Sequence, residues 1–553
     1  MSEAAYDYVI VGAGSAGCVL ANRLTEDGRS SALVLEYGGS DRSIFIQMPA
    51  ALSIPMNSKA YNWGYRTEPE PHLGGRRLHC PRGKVLGGSS SINGLVYVRG
   101  HPLDFERWEE QGAKGWGYAN VLPYFRRAES FRGGGDAWRG HDGPLATSRG
   151  LKYNPLYDAF IEAGGQAGYP VSADLNGERQ EGFGRLDMTV KDGVRWSTAN
   201  AYLRPAMKRP NLGVVTHALA TRIAFDGRLA VGVHYRRAGS EFMARARREV
   251  ILCGGPINSP QLLKLSGVGP AAELRSFGIE VIAERPGVGE NLQDHLEFTF
   301  QVASKKPITL YGHSGLLSRG LVGLAWLTRG RGLGATNHFE AGGFIRSREG
   351  VRYPDIQFHF LPMAVAYDGS VLAREHGFQA HVGPMRSKSR GWVRLSSRDP
   401  AEPPRIRFNY MSHPDDWAEM RACVRLTREI FAQAAFDPYR GREISPGEAC
   451  VSDEAIDAFV RAHAESAYHP SCTCKMGSPS DPLAVVNPET RVIGVDGLRV
   501  VDSSIMPSIT NGNLNAPTIM IAEKAADLIR RREPLPASNA PYHVAADWET
   551  RQR

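Results

Sequence analysis

Hydrophobic and polar positions give the chain three textures. In the first, short apolar runs are followed by glycine. Tyr6-Asp-Tyr-Val-Ile-Val-Gly-Ala-Gly-Ser-Ala-Gly17 reads as a buried strand at 9–11, a turn, and a helix over 16–24 that begins near Ser15. A second strand, 31–35, ends in Glu36. The passage 212–252 alternates as strand, loop and strand. Glu249-Val-Ile-Leu-Cys-Gly-Gly-Pro-Ile-Asn-Ser-Pro-Gln-Leu-Leu-Lys-Leu-Ser-Gly267 then repeats the order of strand, glycine turn and helix, which is doubly wound α/β texture.

From about 297 to 466 the pattern changes. Strand-like runs at 357–362, 379–382 and 392–395, separated by long polar loops, predict an antiparallel sheet in a second domain. Leu316, Leu317, Leu321, Leu324 and Trp326, with Arg319 and Arg329, predict a short basic amphipathic helix. Its expected place is against that sheet; contact with a membrane, or a lid, is the alternative. The third texture is a strand at 497–501 ending in Asp502, a helix over 519–530 with a good apolar stripe, and a Pro/Ala-rich tail expected to be irregular. No internal repeat is present.

At 553 residues the chain exceeds the usual reach of one core, so two domains are expected. The 42% apolar and 22% charged content is globular. No run of eighteen apolar residues would span a bilayer, and no basic flank leads into an apolar run with a cleavage site, so the cytoplasm is the expected place. Seven cysteines, single except for Cys472 and Cys474, suit a reducing compartment. That pair is CxC and no His/Cys cluster has zinc spacing, so no metal site is expected. The net charge of +8 implies a slightly basic surface. Without a basic run interleaved with aromatics, nucleic acid is not an expected partner.

Chemistry enters with the glycines. Gly12 permits the tight turn, Gly14 lets the amides of Ser15 and Ala16 approach a pyrophosphate, and Gly17 lets helix and strand pack closely. Glu36, nineteen residues beyond Gly17, is placed to bind ribose hydroxyls and would repel a 2′-phosphate, so NAD or FAD is favoured over NADP. Arg82-Gly-Lys-Val-Leu-Gly-Gly-Ser-Ser-Ser-Ile-Asn-Gly-Leu-Val-Tyr-Val-Arg-Gly100 is both cationic and glycine-rich, and reads as a second cofactor contact. The turn-rich Pro286-Gly-Val-Gly-Glu-Asn-Leu-Gln-Asp-His295 returns the chain toward the cofactor.

Together these motifs, with His469-Pro and Gly512-Asn-Leu-Asn-Ala-Pro-Thr518, resemble the glucose–methanol–choline oxidoreductase family of FAD enzymes, in order and over nearly the whole chain. HFEAGGFIRSRE at 338–349, HFLP at 359–362, EHGFQ at 375–379, NYMSH at 409–413 and YRGREISPG at 439–447 are most similar to its bacterial choline-oxidising members. The resemblance implies an FAD-binding domain assembled from 1–150, 194–296 and 467–533, a substrate domain from 151–193 and 297–466, and an irregular tail at 534–553. By similarity Gly12, Gly14, Gly17 and Glu36 hold the ADP part. Gly87, Gly88, Ser90 and Asn93 lie along the pyrophosphate and flavin, and Asp502, Asn515 and Thr518 approach the ribityl chain and ring. Where some relatives link a histidine to the flavin, this chain has Ile92, so the FAD is expected to be dissociable.

The resemblance also supplies roles. His469 matches the family's catalytic histidine, as proton acceptor. Asn513 matches a partner that is histidine or asparagine, here a neutral donor to the substrate oxygen. Glu297 and Tyr468 correspond to groups around a trimethylammonium head, with Phe339 near a relative's tryptophan and His359 near another active-site histidine. The implied reaction is choline to betaine aldehyde, and on to glycine betaine through the aldehyde hydrate, with a respiratory quinone or oxygen as acceptor and a peripheral place on the cytoplasmic face of the inner membrane. The alternatives are an FAD dehydrogenase or oxidase of aliphatic or aryl alcohols, a non-redox relative using the flavin scaffold, and an NAD enzyme with a simple Rossmann domain.

Overall fold

The computed structural model describes residues 5–366 and 375–553; residues 1–4, at the head of the expected FAD-binding segment, lie outside it. The first sheet is built on β1 (Ala5–Val11), whose last four residues are buried. It runs through the glycine turn into α1 (Ser15–Thr25) and on to β2 (Ala32–Leu35). β3 (Leu212–Val215) extends the parallel ladder beyond β2. β4 (Leu219–Asp226), β5 (Leu229–Arg237) and β6 (Ser240–Leu252) form an antiparallel meander. The far end of β6 returns alongside β1, in parallel, with Ile10 opposite Ile251. The strand order is β3-β2-β1-β6-β5-β4. β6 then turns into α2 (Gly255–Leu265), repeating the opening strand–turn–helix unit.

The second sheet is antiparallel. It comprises β7 (Leu296–Ser304), β8 (Ala341–Ile345), β9 (Ile356–Leu361), β10 (Gly377–Pro384) and β11 (Arg440–Ser445), in the order β11-β7-β10-β9-β8, with Gly182–Arg185 as the outer neighbour of β8. Alternation divides its faces. Phe298, Phe300, Phe358, Phe360 and Phe378 point one way and are buried against the helices Leu156–Gln166 and Pro414–Phe431. Glu297, Gln301, Gln357, His359, Gln379 and His381 occupy the intervening positions and face the other way. The run at 392–395 does not join this sheet: Trp392–Arg394 pairs with Arg405–Arg407 in a separate two-stranded ladder.

Between β7 and β8 lies α3 (Leu316–Arg329), at the expected position but differently packed. Only Trp326 is buried, whereas Leu316, Leu317, Leu321, Leu324 and Leu327 are exposed. The expected seat against the sheet is not taken, because the apolar face of the sheet is already covered by the helices just named. β12 (Leu498–Val500) returns to the first sheet in parallel beside β6, and α4 (Asn515–Arg530) packs on α1. Across that contact the Ser15 hydroxyl donates to Asn515 Oδ1 at 2.7 Å, joining residues 500 positions apart. The tail after α4 carries no helix or strand but is tied down, as by the Gly350 N–H donating to the Trp548 carbonyl. All seven cysteines are buried free thiols. Among the described residues no helix is long and apolar enough to cross a membrane.

Candidate active site

The glycine turn shows why each glycine stands where it does. A Cβ on Gly17 would fall 1.9 Å from the Gly12 carbonyl oxygen, and one on Gly12 (φ +99°) 2.5 Å from that of Cys253. These two are demanded by the protein's own packing. A Cβ on Gly14 would meet only the Cys253 oxygen, at 3.8 Å. Gly14 faces a cavity of about 940 Å³ running between the two sheets. α1 begins there with no side-chain cap, and so does α4. Two sets of orphan helix amides therefore open on one cavity, where a diphosphate and a polar ring edge would satisfy them.

Gly12, Ser15, Ala16 and Glu36 line the cavity near the first helix, and Gly88, Asn93, Asp502, Asn515 and Thr518 continue it. Several of these side chains also hold the protein. Glu36 accepts the N–H groups of Ala13 (2.9 Å) and Gly38 (2.7 Å), and burial pushes its carboxyl up to about 7. Asp502 accepts the Gly255 N–H and the Ser259 hydroxyl, staying the turn between β6 and α2. Ser90 also lines the cavity, but its hydroxyl is engaged with the Gly87 carbonyl and with Thr198. Thr518 donates to the Leu514 carbonyl. Gly17 and Gly87 lie outside the lining. A Cβ on Gly87 would meet Ser91 Oγ at 2.2 Å, and one on Gly88 the Cα of Gly14 at 2.6 Å, so the second glycine block is locked against the first. Ile92 is buried against the cavity and offers no nucleophile. An elongated cavity with glycine-backed amides at one end fits a dinucleotide, and its size fits FAD.

At the other end the structure brings together His469, Asn513, His359, Phe339, Tyr468 and Glu297. His469 sits on a loop held from beneath by Asp294, which accepts the His469 N–H at 2.7 Å together with the hydroxyls of Tyr410 and Ser466. Burial raises the Asp294 carboxyl to about 6. Tyr468, next to the histidine, has φ +65°, a strained conformation that turns the loop into the cavity.

The hydrogen bonds around His469 settle its tautomer. His295 Nε2 lies 3.1 Å from the Met385 carbonyl, which only accepts, so Nε2 carries the proton. Burial depresses His295 to about 3, so the ring is neutral and its Nδ1 is bare. His469 Nδ1, 3.1 Å away, is then the donor to it. That leaves His469 Nε2 with a free lone pair, which accepts from Asn513 Nδ2 at 3.1 Å. Asn513 Oδ1 in turn accepts from Gln357 Nε2 at 3.3 Å, with His359 Nε2 at 3.2 Å. Burial first, then the neighbouring His295 and His359, hold the His469 pKa well below the ordinary histidine value. The result is a neutral imidazole with its basic nitrogen aimed into the cavity.

On the sheet above, Glu297 Oε1 accepts from His381 Nδ1 at 3.0 Å, and the Phe339 ring stands edge-on to both His359 and His381. His295, Asp294, Gln357 and His381 were not singled out by sequence reasoning. His295 and Asp294 lie within the turn-rich motif at 286–295, and the other two share the polar phase of strands whose alternation is plain in the sequence.

A discontinuous two-sheet flavoprotein-like fold, a glycine-backed cavity and a His/Asn pair together define an oxidoreductase, and the chain belongs to the GMC oxidoreductase family. That family's N-terminal part matches residues 6–297 and its C-terminal part residues 387–522. The chain is 59% identical over 547 residues to the oxygen-dependent choline dehydrogenase of Brucella canis, covering 99% of this chain and all of that one, and equally to the protein of that name from Sinorhizobium medicae. Among solved structures it is similar to pyridoxine 4-oxidase from Mesorbium loti, with 31% identity, TM-score 0.87, and coverage of 96% of this chain and 100% of that one. It is also similar to formate oxidase, with 27% identity, TM-score 0.89, and coverage of 96% and 99%.

Proposed function

We propose that this protein is an FAD-dependent choline dehydrogenase that oxidises choline to betaine aldehyde, with His469 as base and Asn513 as the donor to the substrate oxygen. The carrying observation is the bare His469 Nε2, facing Asn513 Nδ2 in the cavity that Glu297 also lines. In the resting site these two groups bond each other. An alcohol oxygen entering between them replaces that bond with two: its O–H donates to Nε2, and Asn513 Nδ2 donates to the oxygen. As the proton passes to His469, Asn513 stabilises the alkoxide. Bound FAD supplies the acceptor for the hydride that leaves the alcohol carbon; the Gly12–Gly14 turn, Glu36, Asn93, Asp502 and Asn515 would hold it, without a covalent bond. Glu297, with Phe339 and Tyr468 beside it, balances the charge of the trimethylammonium head, where desolvated cation–π contacts are worth roughly 1–2 kcal/mol.

The test is anaerobic mixing of the yellow protein with choline. Flavin bleaching is expected, and His469→Ala should slow it by roughly 10²–10⁴-fold with FAD retained. Full-rate bleaching in the variant would overturn the role of His469. Faster bleaching by hexanol or benzyl alcohol would favour the other primary alcohols as substrates. The hydrate of betaine aldehyde presents the same hydroxyl and C–H pair, so the reading includes a second oxidation to glycine betaine. Two acceptor equivalents reduced per choline is the expected stoichiometry, against one if the aldehyde is released.

We also infer a peripheral membrane contact on the cytoplasmic face, and a quinone as acceptor. In support, Leu316 and Leu317 on α3 are 89% and 88% exposed. The segment 298–339 contains no Asp or Glu but has Lys305, Lys306, Arg319, Arg329 and Arg331. Leu316 and Arg319 also line the cavity, so a lipid-soluble acceptor would arrive beside the site. Reoxidation of the reduced enzyme by oxygen as fast as by a quinone analogue would refute the quinone preference.

A further inference from the structure

The sheet face turned to the cavity carries a second hydrogen-bonded chain, separate from the one that runs through His469. His381 on β10 lies directly opposite His359 on β9, and Gln379 lies two residues before it on the same face. His381 Nδ1 is 3.0 Å from Glu297 Oε1, and its Nε2 is 2.9 Å from Gln379 Nε2. The direction of these bonds is set at the far end. Gln379 Oε1 accepts the backbone N–H of Val365 at 2.9 Å, a group that only donates, and also Gln301 Nε2 at 2.8 Å. The Gln379 amide is thus fixed in orientation and presents its N–H to His381. Nε2 of His381 must be the bare nitrogen, so the ring's single proton sits on Nδ1 and is donated to Glu297. An imidazolium in this place would set an N–H against an N–H.

We infer that His381 is a specificity-determining positioning residue. Keyed as the neutral Nδ1–H tautomer by Val365 and Gln379, it orients the Glu297 carboxylate without cancelling its charge. The inference rests on the choline reading above and deepens it. A quaternary ammonium has no N–H, so it cannot orient a carboxylate by hydrogen bonding, and the attraction it feels has no direction. The protein must hold the carboxylate in place itself. A cationic partner such as lysine or imidazolium would hold it too, but would neutralise it and add a positive charge beside the substrate. A neutral donor holds it and adds no positive charge of its own. Glu297 and His381 are both mostly buried, which strengthens the distinction, because charge is poorly screened there.

The test compares kcat/KM for choline with that for 3,3-dimethylbutan-1-ol, which has the same shape with carbon in place of nitrogen. Absorbance of bound flavin reports that each variant has folded. His381→Leu removes the donor, and the choline-to-isostere ratio should fall at least about tenfold, mainly through the choline KM. His381→Asn, whose amide N–H stands close to the position of Nδ1, should keep the ratio within about threefold of the parent. Gln379→Leu leaves His381 in place but removes the key, and should lower the ratio as well. An unchanged ratio in both leucine variants, in an enzyme that prefers choline, overturns the inference and leaves the choline reading intact. No preference for choline in the parent enzyme overturns both.

Discussion

Burial sets the working state of His469. Its pKa lies below the usual histidine range, and a base with a lowered pKa stays deprotonated as the medium is acidified. For an uncharged alcohol, kcat/KM should therefore hold level from pH 8 down to about 6.5, the ordinary value for histidine, and fall only below it. A decline that begins above 6.5 would contradict the neutral tautomer drawn from the His295–His469–Asn513 chain. Removing the Asn513 donor by Asn513→Ala should cost roughly 10²–10³ in flavin reduction, the range for loss of one oxyanion donor. The glycines separate packing from binding. Gly17→Ala forces a methyl onto the Gly12 oxygen and should lower the apoprotein's melting temperature, for an overpacking cost of roughly 1–3 kcal/mol. Gly14→Ala meets nothing closer than 3.8 Å, so it should leave that temperature alone while weakening flavin retention in dialysis.

Among the elements, those with strong periodicity were legible. The run from β1 through the turn into α1 could be read because apolar strand, glycine spacing and acidic residue constrain one another. The phase of β9 and β10 is equally readable, yet His381 was passed over. Its meaning depends on which residues lie across the sheet, and register between strands twenty residues apart is not written in either one alone. His295 was missed for a similar reason: a histidine in a turn-rich loop has no pattern until the loop is folded against Met385. α3 was placed correctly but seated wrongly, since amphipathicity tells which face is apolar and not what covers it. Replacing Leu316, Leu317, Leu321 and Leu324 together with serine should leave the melting temperature nearly unchanged, because these side chains are not buried. The same change should abolish co-sedimentation with vesicles containing anionic lipid. Equal binding by the variant would leave α3 without the membrane role.

For the molecule as a whole, the site is divided between the two sheets. The first sheet and its glycine blocks line one end of the cavity; the second supplies Glu297, His359 and His381 from one polar face; and the loop carrying His469 joins them. Family resemblance located most of these groups by motif, and their hydrogen-bond directions came only from the folded structure. The position of β12 and α4 has a further consequence, for the timing of folding. The strand that flanks β6 and the helix that meets α1 are synthesised about 500 residues after the glycine turn they complete. A nascent chain halted before residue 498 would own the turn, yet its cavity would lack one wall. Flavin capture should therefore wait until α4 has been made. Pulse-labelled ribosome-bound chains should stay sensitive to protease around α1 until α4 emerges, with FAD protecting only chains that include it.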